Sequence, residues 1–541
     1  MKGANRKNGV FGTATKLLLG GFFLVAVLLP LLQMLFKLGD ADFAKIFADG
    51  KVESALGHSL LVSSVSTVFA IVLAMVSAYA IERSAVWCKA LFRVLILLPM
   101  LIPSISHGMG LIILLGDNGR LTNLLGWDKG IYGFWGIVVG SVMYAFPVAY
   151  LMIADILKYE DSTPYEAAQV LGIPKLRRLT AITLPYLRKP MISVLFATFT
   201  LIVTDYGVPL MIGGMYKTLP VLMYEEVIGR QDFAKGSVFG VILLLPAVIA
   251  FFVDLFCKND KKNAATARPF AIARRPFRDT ASFLLLLAVS IFTVYPIVSF
   301  IALTFSRRYP SDLTFTLDHM LSTFSKGAGE YLVNSLTIGL FVALIGTAIA
   351  FLCAYFTARV PGRGTGFLHL MAIVSLAIPG IVLGLSYVLF FGGSFLDGTL
   401  AILVMANAVH FFSSPYLMIY NSMGKLNPNL EAVGATLGLG RIRLIRDVIL
   451  PQTLGTIAEM FSYFFVNSMM TISAVAFLAK LDTKPISLLI PQFEAQMLLE
   501  ASAFVSLLIL AANLLVKGAV WLIKRMLSHR TVFSHADKKT V

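Results

Sequence analysis

The chain has 541 residues, 58% hydrophobic and 14% charged, with 45 Lys and Arg against 29 Asp and Glu for a formal net charge of +16. A mean hydropathy of +0.83 excludes a soluble globular protein of this length and leaves an integral membrane protein. A helix needs about 20 mostly apolar residues to cross about 30 Å of hydrocarbon, so the expected fold is all-α, with about twelve transmembrane helices.

In chain order the expected spans lie near 16–36, 56–81, 91–115, 131–157, 191–215, 237–257, 280–305, 331–357, 366–391, 399–423, 453–478 and 501–523. The first follows Lys2, Arg6 and Lys7 like a signal peptide, but it is too long for an h-region and has no small-residue cleavage site, so it is expected as an uncleaved span. With a cytoplasmic N-terminus, the outer segments hold 13 of the 45 Lys and Arg. That bias predicts cytoplasmic N- and C-termini, and it assigns the basic excess to topology and anionic lipid rather than to nucleic acid. Cys88, Cys257 and Cys353 are far apart in sequence and form neither a disulfide framework nor a metal cluster.

Residues 258–279 are polar and basic and interrupt the apolar pattern midway, as a cytoplasmic linker would. They divide a first half, 1–257, from a second, 280–526, which is followed by a cytoplasmic tail, 527–541. The halves repeat one another. His58-Ser59-Leu60 and the run ending at Arg83 match Asn334-Ser335-Leu336 and the run ending at Arg359, at an offset of 276, and Ile102-Pro103 matches Ile378-Pro379. Beyond an outer loop that is longer in the first half the offset becomes 266, where Tyr150 matches Tyr416 and Gly172 with Pro185 matches Gly438 with Pro451. Six spans per half, an even number, make the halves parallel repeats about an axis along the membrane normal.

The long cytoplasmic loops, 160–190 and 425–452, are the most informative segments. The first reads Glu166-Ala167-Ala168-Gln169-Val170-Leu171-Gly172 with Pro185 thirteen residues on. The second reads Glu431-Ala432-Val433-Gly434-Ala435-Thr436-Leu437-Gly438 with Pro451 at the same distance. Small residues let a partner approach a short helix closely, and a glycine permits the positive-φ turn that ends it. The pair resembles the EAA loops of binding-protein-dependent ABC importer permeases. The second loop departs from the pattern: Ala432 stands where Glu166 does, and Gly434 replaces an alanine. Asp205-Tyr206-Gly207-Val208-Pro209 and Thr471-Ile472-Ser473 are further similar to the fused permeases of ferric-iron and 2-aminoethylphosphonate importers.

The resemblance implies a type I importer permease in a bacterial cytoplasmic membrane, carrying ferric iron or a phosphonate, with thiamine or polyamine behind them. It implies two copies of a cytoplasmic ATPase gripping the loops, an extracytoplasmic solute-binding protein, and ATP and Mg held by the partner rather than by this chain. No G-x-x-x-x-G-K-[ST] phosphate loop occurs in the sequence, so nucleotide energy is expected from that partner.

Polar groups at membrane depth are pathway candidates. Thr204, Asp205 and Tyr206 end one expected span, and Asn467, Ser468, Thr471 and Ser473 lie in its repeat. Hydroxyls bonded to their own i−4 carbonyls are the plainer alternative. His107 and His410 fall near expected helix interruptions, and neither belongs to a group with metal-ligand spacing. Neither catalytic nor metal-binding residues are expected. An ion-gradient-driven transporter has the same twelve-helix outline, but it leaves the paired loops unexplained.

Overall fold

A computed structural model describes residues 2–127, 129–257, 268 and 270–536. Among the described residues eight helices are long and apolar enough to cross a membrane, and three bent pairs raise the number to eleven if each is one span. The helix Leu450–Met470 stands in the second half where Thr180–Val203 stands in the first. Gln452, Thr453, Thr456, Glu459 and Asn467 make it more polar than its counterpart. Among the described residues the only strands form a hairpin, Ser306–Arg308 with Asp312–Phe315. Residues 258–267 and 269, most of the expected linker, lie outside the described residues, and the next helix begins at Pro276. Within the expected tail, helix continues to Ala536, and 537–541 are outside the described residues.

Five expected spans differ in shape. Those near 91–115 and 366–391 are not continuous. Lys89–Leu101 meets Ser104–Leu125 at 104°, and Thr365–Ala377 meets Gly380–Phe391 at 112°. The repeated Ile-Pro dipeptide is the cause, because a residue before proline is driven out of the α region. Ile102 (φ −119°, ψ 151°) and Ile378 (φ −100°, ψ 111°) are extended, and each helix restarts after its proline. The span near 399–423 bends by 54° between His410 and Ser413. The spans expected over 191–215 and 453–478 end at Val203 and Met470.

Backbone exposed at such breaks needs partners at membrane depth. Asn513 Nδ2 donates to Leu101 O at 2.9 Å from the opposite half. Ser413 Oγ donates to Ala372 O at 2.8 Å. The repeated serine of the His58-Ser59/Asn334-Ser335 motif has the same use near the outer ends of the second helices. Ser59 Oγ accepts from Leu219 N at 2.8 Å and Ser335 Oγ from Ile486 N at 2.7 Å. The residue before it also holds the outer loop: His58 Nδ1 donates to Lys217 O at 3.0 Å, and Asn334 Nδ2 to Asp482 O at 2.9 Å.

The first helix of each half packs on the other half. Gly12–Asp40 lies against Gly380–Phe391, with Tyr387 OH donating to Ala26 O at 2.7 Å and Phe23 edge-on to Phe412 at 5.2 Å. Pro276–Phe305 lies against Lys51–Arg83 and Ser104–Leu115, with Phe283 edge-on to Phe92 at 5.5 Å. This exchange welds the halves together.

Gly110 is a point of close approach, since a Cβ there would lie 2.6 Å from Pro296 Cβ and 3.0 Å from its Cα. Overpacking of this kind costs roughly 1–3 kcal/mol. Gly110→Ala is therefore expected to lower the thermal unfolding temperature in detergent, whereas Gly20→Ala, with nothing within 4 Å of the new methyl, leaves it unchanged or slightly raised.

Candidate coupling loops and membrane pathway

Each of the loops 160–190 and 425–452 contains a short helix, Thr163–Val170 in the first half and Leu430–Thr436 in the second. Both end the same way. Gly172 (φ +68°) and Gly438 (φ +71°) take the left-handed conformation. Behind them Ile173 N donates to Ala168 O and Leu439 N to Gly434 O, each at 2.9 Å. That closure satisfies helix-end carbonyls that would otherwise lack donors. Pro185 and Pro451 each follow a π-helical turn, Leu179–Thr183 and Ile445–Ile449, where the regular i→i−4 ladder is already interrupted.

Equivalent positions on the two helices share their exposure. Ala168 and Gly434 are the buried positions, while Glu166, Ala167 and Ala432 are exposed. A Cβ at 434 would touch the Leu444 side chain at 3.4 Å, an ordinary packing distance, so the buried position accepts an alanine in either loop. Outward, Val170 (88% exposed), Leu171 (75%), Val433 (52%) and Leu437 (68%) present apolar surface. Such a patch on a polar loop marks a protein contact.

An arginine at the C-terminal end of each half's second helix anchors the loop, and the two anchors use different residues. Arg359 pairs with both oxygens of Glu431, at 2.9 Å and 2.6 Å, and also donates to Asn427 O at 2.7 Å. Arg83 pairs with Glu160 at 2.6 Å, and the same carboxylate accepts from Tyr165 OH at 2.5 Å. Tyr165 occupies the place of Glu431. Burial first, and then its bond to Glu160, push the Tyr165 phenol above its ordinary range. Glu166 makes no arginine pair; its Oε1 accepts from Ser162 Oγ at 2.8 Å. Phe270, from the end of the linker, lies 3.9 Å from the Arg83 guanidinium and edge-on to Tyr165. The repeated Arg83/Arg359 position was legible as part of the internal repeat, but its role as anchor was not.

The pathway candidates fall at two equivalent corners, with Asn467 and Ser468 in the last turn of Leu450–Met470 and the others just beyond Val203 and Met470. Thr204 Oγ1 bonds its i−4 carbonyl at 2.8 Å, as does Asn467 Nδ2 at 2.7 Å, so both spend their donors locally. Ser468 is buried without a hydrogen-bond partner for its hydroxyl. Asp205 accepts from Val208 N at 3.0 Å and lies beside the Ser104 hydroxyl. Tyr206 stacks on Tyr224 at 5.2 Å, and Tyr224 stacks on Phe477 of the other half at 6.2 Å. Thr471 O accepts from Ser487 Oγ at 2.7 Å. Ser473 Oγ sits against Gly380, 2.3 Å from where a Cβ would be.

The last contact has a mirrored partner, because a Cβ on Gly207 would meet Ser104 Oγ at 2.4 Å. Positions 104 and 380 are equivalents, as are 207 and 473, so each corner holds one serine and one glycine in opposite order. Tyr144 and Tyr463 are additional polar groups here. Tyr144 lies edge-on to His107 at 5.9 Å and within electrostatic reach of Asp205 and Tyr463. No sequence pattern distinguishes these tyrosines from packing aromatics. His107 Nε2 and His410 Nδ1 are buried without hydrogen-bond partners.

The pattern of the family of binding-protein-dependent transport system inner membrane components matches residues 66–259 and again 346–529. The chain belongs to this family: it is a fused, two-domain permease subunit of an ABC importer, an inner-membrane multi-pass transport protein. It is 22% identical to the ferric transport system permease protein FbpB of Actinobacillus pleuropneumoniae over 86% of this chain and 70% of that protein. It is likewise 22% identical to the putative ferric transport system permease protein FbpB 1 of Haemophilus influenzae, over 86% and 77%. A single-length relative, the molybdate/tungstate transport system permease protein WtpB of Methanocaldococcus jannaschii, is 29% identical over 41% of this chain and 88% of its own.

Removing one member of a well-buried ion pair costs roughly 3–5 kcal/mol, and the Arg359 side chain is 5% exposed. Arg359→Ala is expected to speed protease cleavage and hydrogen exchange across 424–440, and Arg359→Lys to rescue little because it lacks the bidentate fork. Glu166→Ala, which removes only a part-buried bond to Ser162 within the same turn, leaves the first loop as protected as before.

Proposed function

We propose that the helices Thr163–Val170 and Leu430–Thr436 are the surfaces on which two copies of a cytoplasmic ATP-binding subunit pull, and that this pull opens and closes a pathway between the halves. The observation that carries the reading is the matched geometry of the two loops: the same left-handed glycine closure, an arginine tether to the second helix, and an exposed apolar face. A knob bonded this firmly moves its tethered helix with it, so closure of two nucleotide-bound ATPases would reach Lys51–Arg83 and Asp318–Arg359 directly. In this reading ATP and Mg are bound by the partner, both termini are cytoplasmic, and a solute-binding protein docks on the outer loops. Glu166, Ala167, Ala168 and Gly172 act in the first contact, and Glu431, Ala432, Gly434 and Gly438 in the second.

For the cargo we infer ferric iron, because the relatives aligned over most of both halves are ferric transport permeases. The corners around Asp205–Tyr206 and Thr471–Ser473 are the pathway in this reading, since they bring polar groups from both halves to the interface.

Leu171→Asp combined with Leu437→Asp tests the coupling surface. Both side chains are exposed, 75% and 68%, so the fold has little stake in them, while desolvating a carboxylate in an apolar contact costs several kcal/mol. The variant is expected in the membrane at normal level, with ATPase co-purification and uptake of radiolabelled ferric iron each down at least about tenfold. Unchanged recovery of the ATPase refutes the surface. Wild-type vesicles that import 2-aminoethylphosphonate but not ferric iron refute the cargo alone.

A further inference from the structure

We propose that a groove on the second half holds the phosphate of an anionic phospholipid. The groove, about 600 Å³, runs between Ser413–Gly424, Leu450–Met470 and Leu499–Ala536, and it is lined by Met418, Glu459, Lys517, Trp521, Lys524 and Arg525 among others. Three cations face one carboxylate. Lys524 pairs with Glu459, Arg525 lies over the Trp521 ring at 5.4 Å, and Lys517 has no hydrogen-bond or ion-pair partner among the described residues.

Lys524 has a lysine, Lys258, at the equivalent position, but two of these charges are not part of the repeated frame. At the 266 offset the first half carries Phe251 in place of Lys517 and Ser193 in place of Glu459, on equivalent helices. The site is therefore an addition to one half of an otherwise repeated frame, which points to a ligand rather than to architecture.

The surroundings match a lipid better than a free anion. Lys517 is seven residues from Lys524 along one helix, about 10 Å at 1.5 Å per residue. Its long side chain can therefore rise toward a phosphate at the level of Lys524 and Arg525. Leu514, on the same helix face as Lys517 and Trp521, is 45% exposed, Leu515 is 75% exposed, and Trp521 itself 58%. An exposed apolar flank below an indole and paired cations has the profile of acyl chains beneath a headgroup at the membrane interface. Glu459 competes with the phosphate for Lys524, so its removal should tighten the site.

The purified chain, exchanged into nanodiscs of phosphatidylglycerol or of phosphatidylcholine, is examined by thermal unfolding and, after release, by native mass spectrometry for retained lipid. Wild type is expected to retain phosphatidylglycerol selectively and to unfold at higher temperature in it. Lys517→Ala with Lys524→Ala should lower retention by about fivefold per cation removed. Lys517→Arg should hold it, and Glu459→Gln should raise it. Inorganic phosphate at millimolar concentration in phosphatidylcholine discs should give no stabilisation. Undiminished retention by the double variant overturns the proposal. Loss of retention in Glu459→Gln overturns it too, since the groove would then be a structural ion pair. Stabilisation by inorganic phosphate equal to that by the lipid reassigns the groove to a soluble anion and also overturns it.

Discussion

The structure depends on one constraint: where a helix breaks at membrane depth, each freed backbone group must find a partner inside the protein. Two Ile-Pro dipeptides impose breaks of 104° and 112°, and the groups that repair them lie largely on other elements. Asn513 reaches across from the other half to Leu101 O, and Ser413 reaches from a neighbouring helix to Ala372 O. A lone half would leave Leu101 O bare in lipid. The exchange of first helices follows from the same need, because Gly12–Asp40 and Pro276–Phe305 cover Gly380–Phe391 and Ser104–Leu115, the second arms of the bent pairs in the opposite half. Fusion in one chain keeps the two halves permanently available to one another.

Within that frame the halves have diverged in the residues that tether the loops while keeping the same local geometry. The tether of the second loop is a direct bidentate pair, Arg359 with Glu431. The tether of the first is a relay, Arg83 to Glu160 to Tyr165, with Phe270 of the linker laid across it. Tyr165 and Glu431 are equivalent residues that reach the same arginine position, one through a carboxylate borrowed from the preceding turn and one with its own. The misalignment of the glutamates in the two loops is thereby resolved. Glu431 is an anchor, Glu166 accepts a local bond from the Ser162 hydroxyl, and they are not counterparts.

Much of this was legible in the sequence, and the limits of legibility have physical causes. Apolar length identified the spans, and the offsets of 276 and 266 paired the halves down to Ile102-Pro103 and Gly172. Hydropathy does not report direction, however, so an apolar run that turns back on itself at a proline looks like one that crosses. The Ile-Pro pairs were visible as a repeat, and the rule that a residue before proline is extended would have turned that repeat into a bend. Tyr144, Tyr463 and the Arg83 relay were not visible, because their partners lie tens of residues or more away and share no spacing pattern. Thr204 and Asn467 show the converse. They are polar residues at the expected places, but each bonds its own i−4 carbonyl.

The opposed serine–glycine pairs at the two corners show how a repeat can diverge without losing fit. Each corner must pack a helix start after the Ile-Pro break against a chain turning away from the fifth helix, and there is room for one hydroxymethyl group, not two. Ser104 with Gly207 fills one corner, and Gly380 with Ser473 fills the other. Moving the serine from one side of the contact to the other preserves volume, but it changes which backbone carries the hydroxyl. In the first half Ser104 thereby comes beside the Asp205 carboxylate, while in the second the equivalent of Asp205 is Thr471, whose carbonyl is taken by Ser487. One corner consequently carries an acidic group at membrane depth and the other a neutral one. The two repeats are thus alike in shape but unlike in chemistry at this contact, a difference that a strictly symmetric pair of halves could not carry.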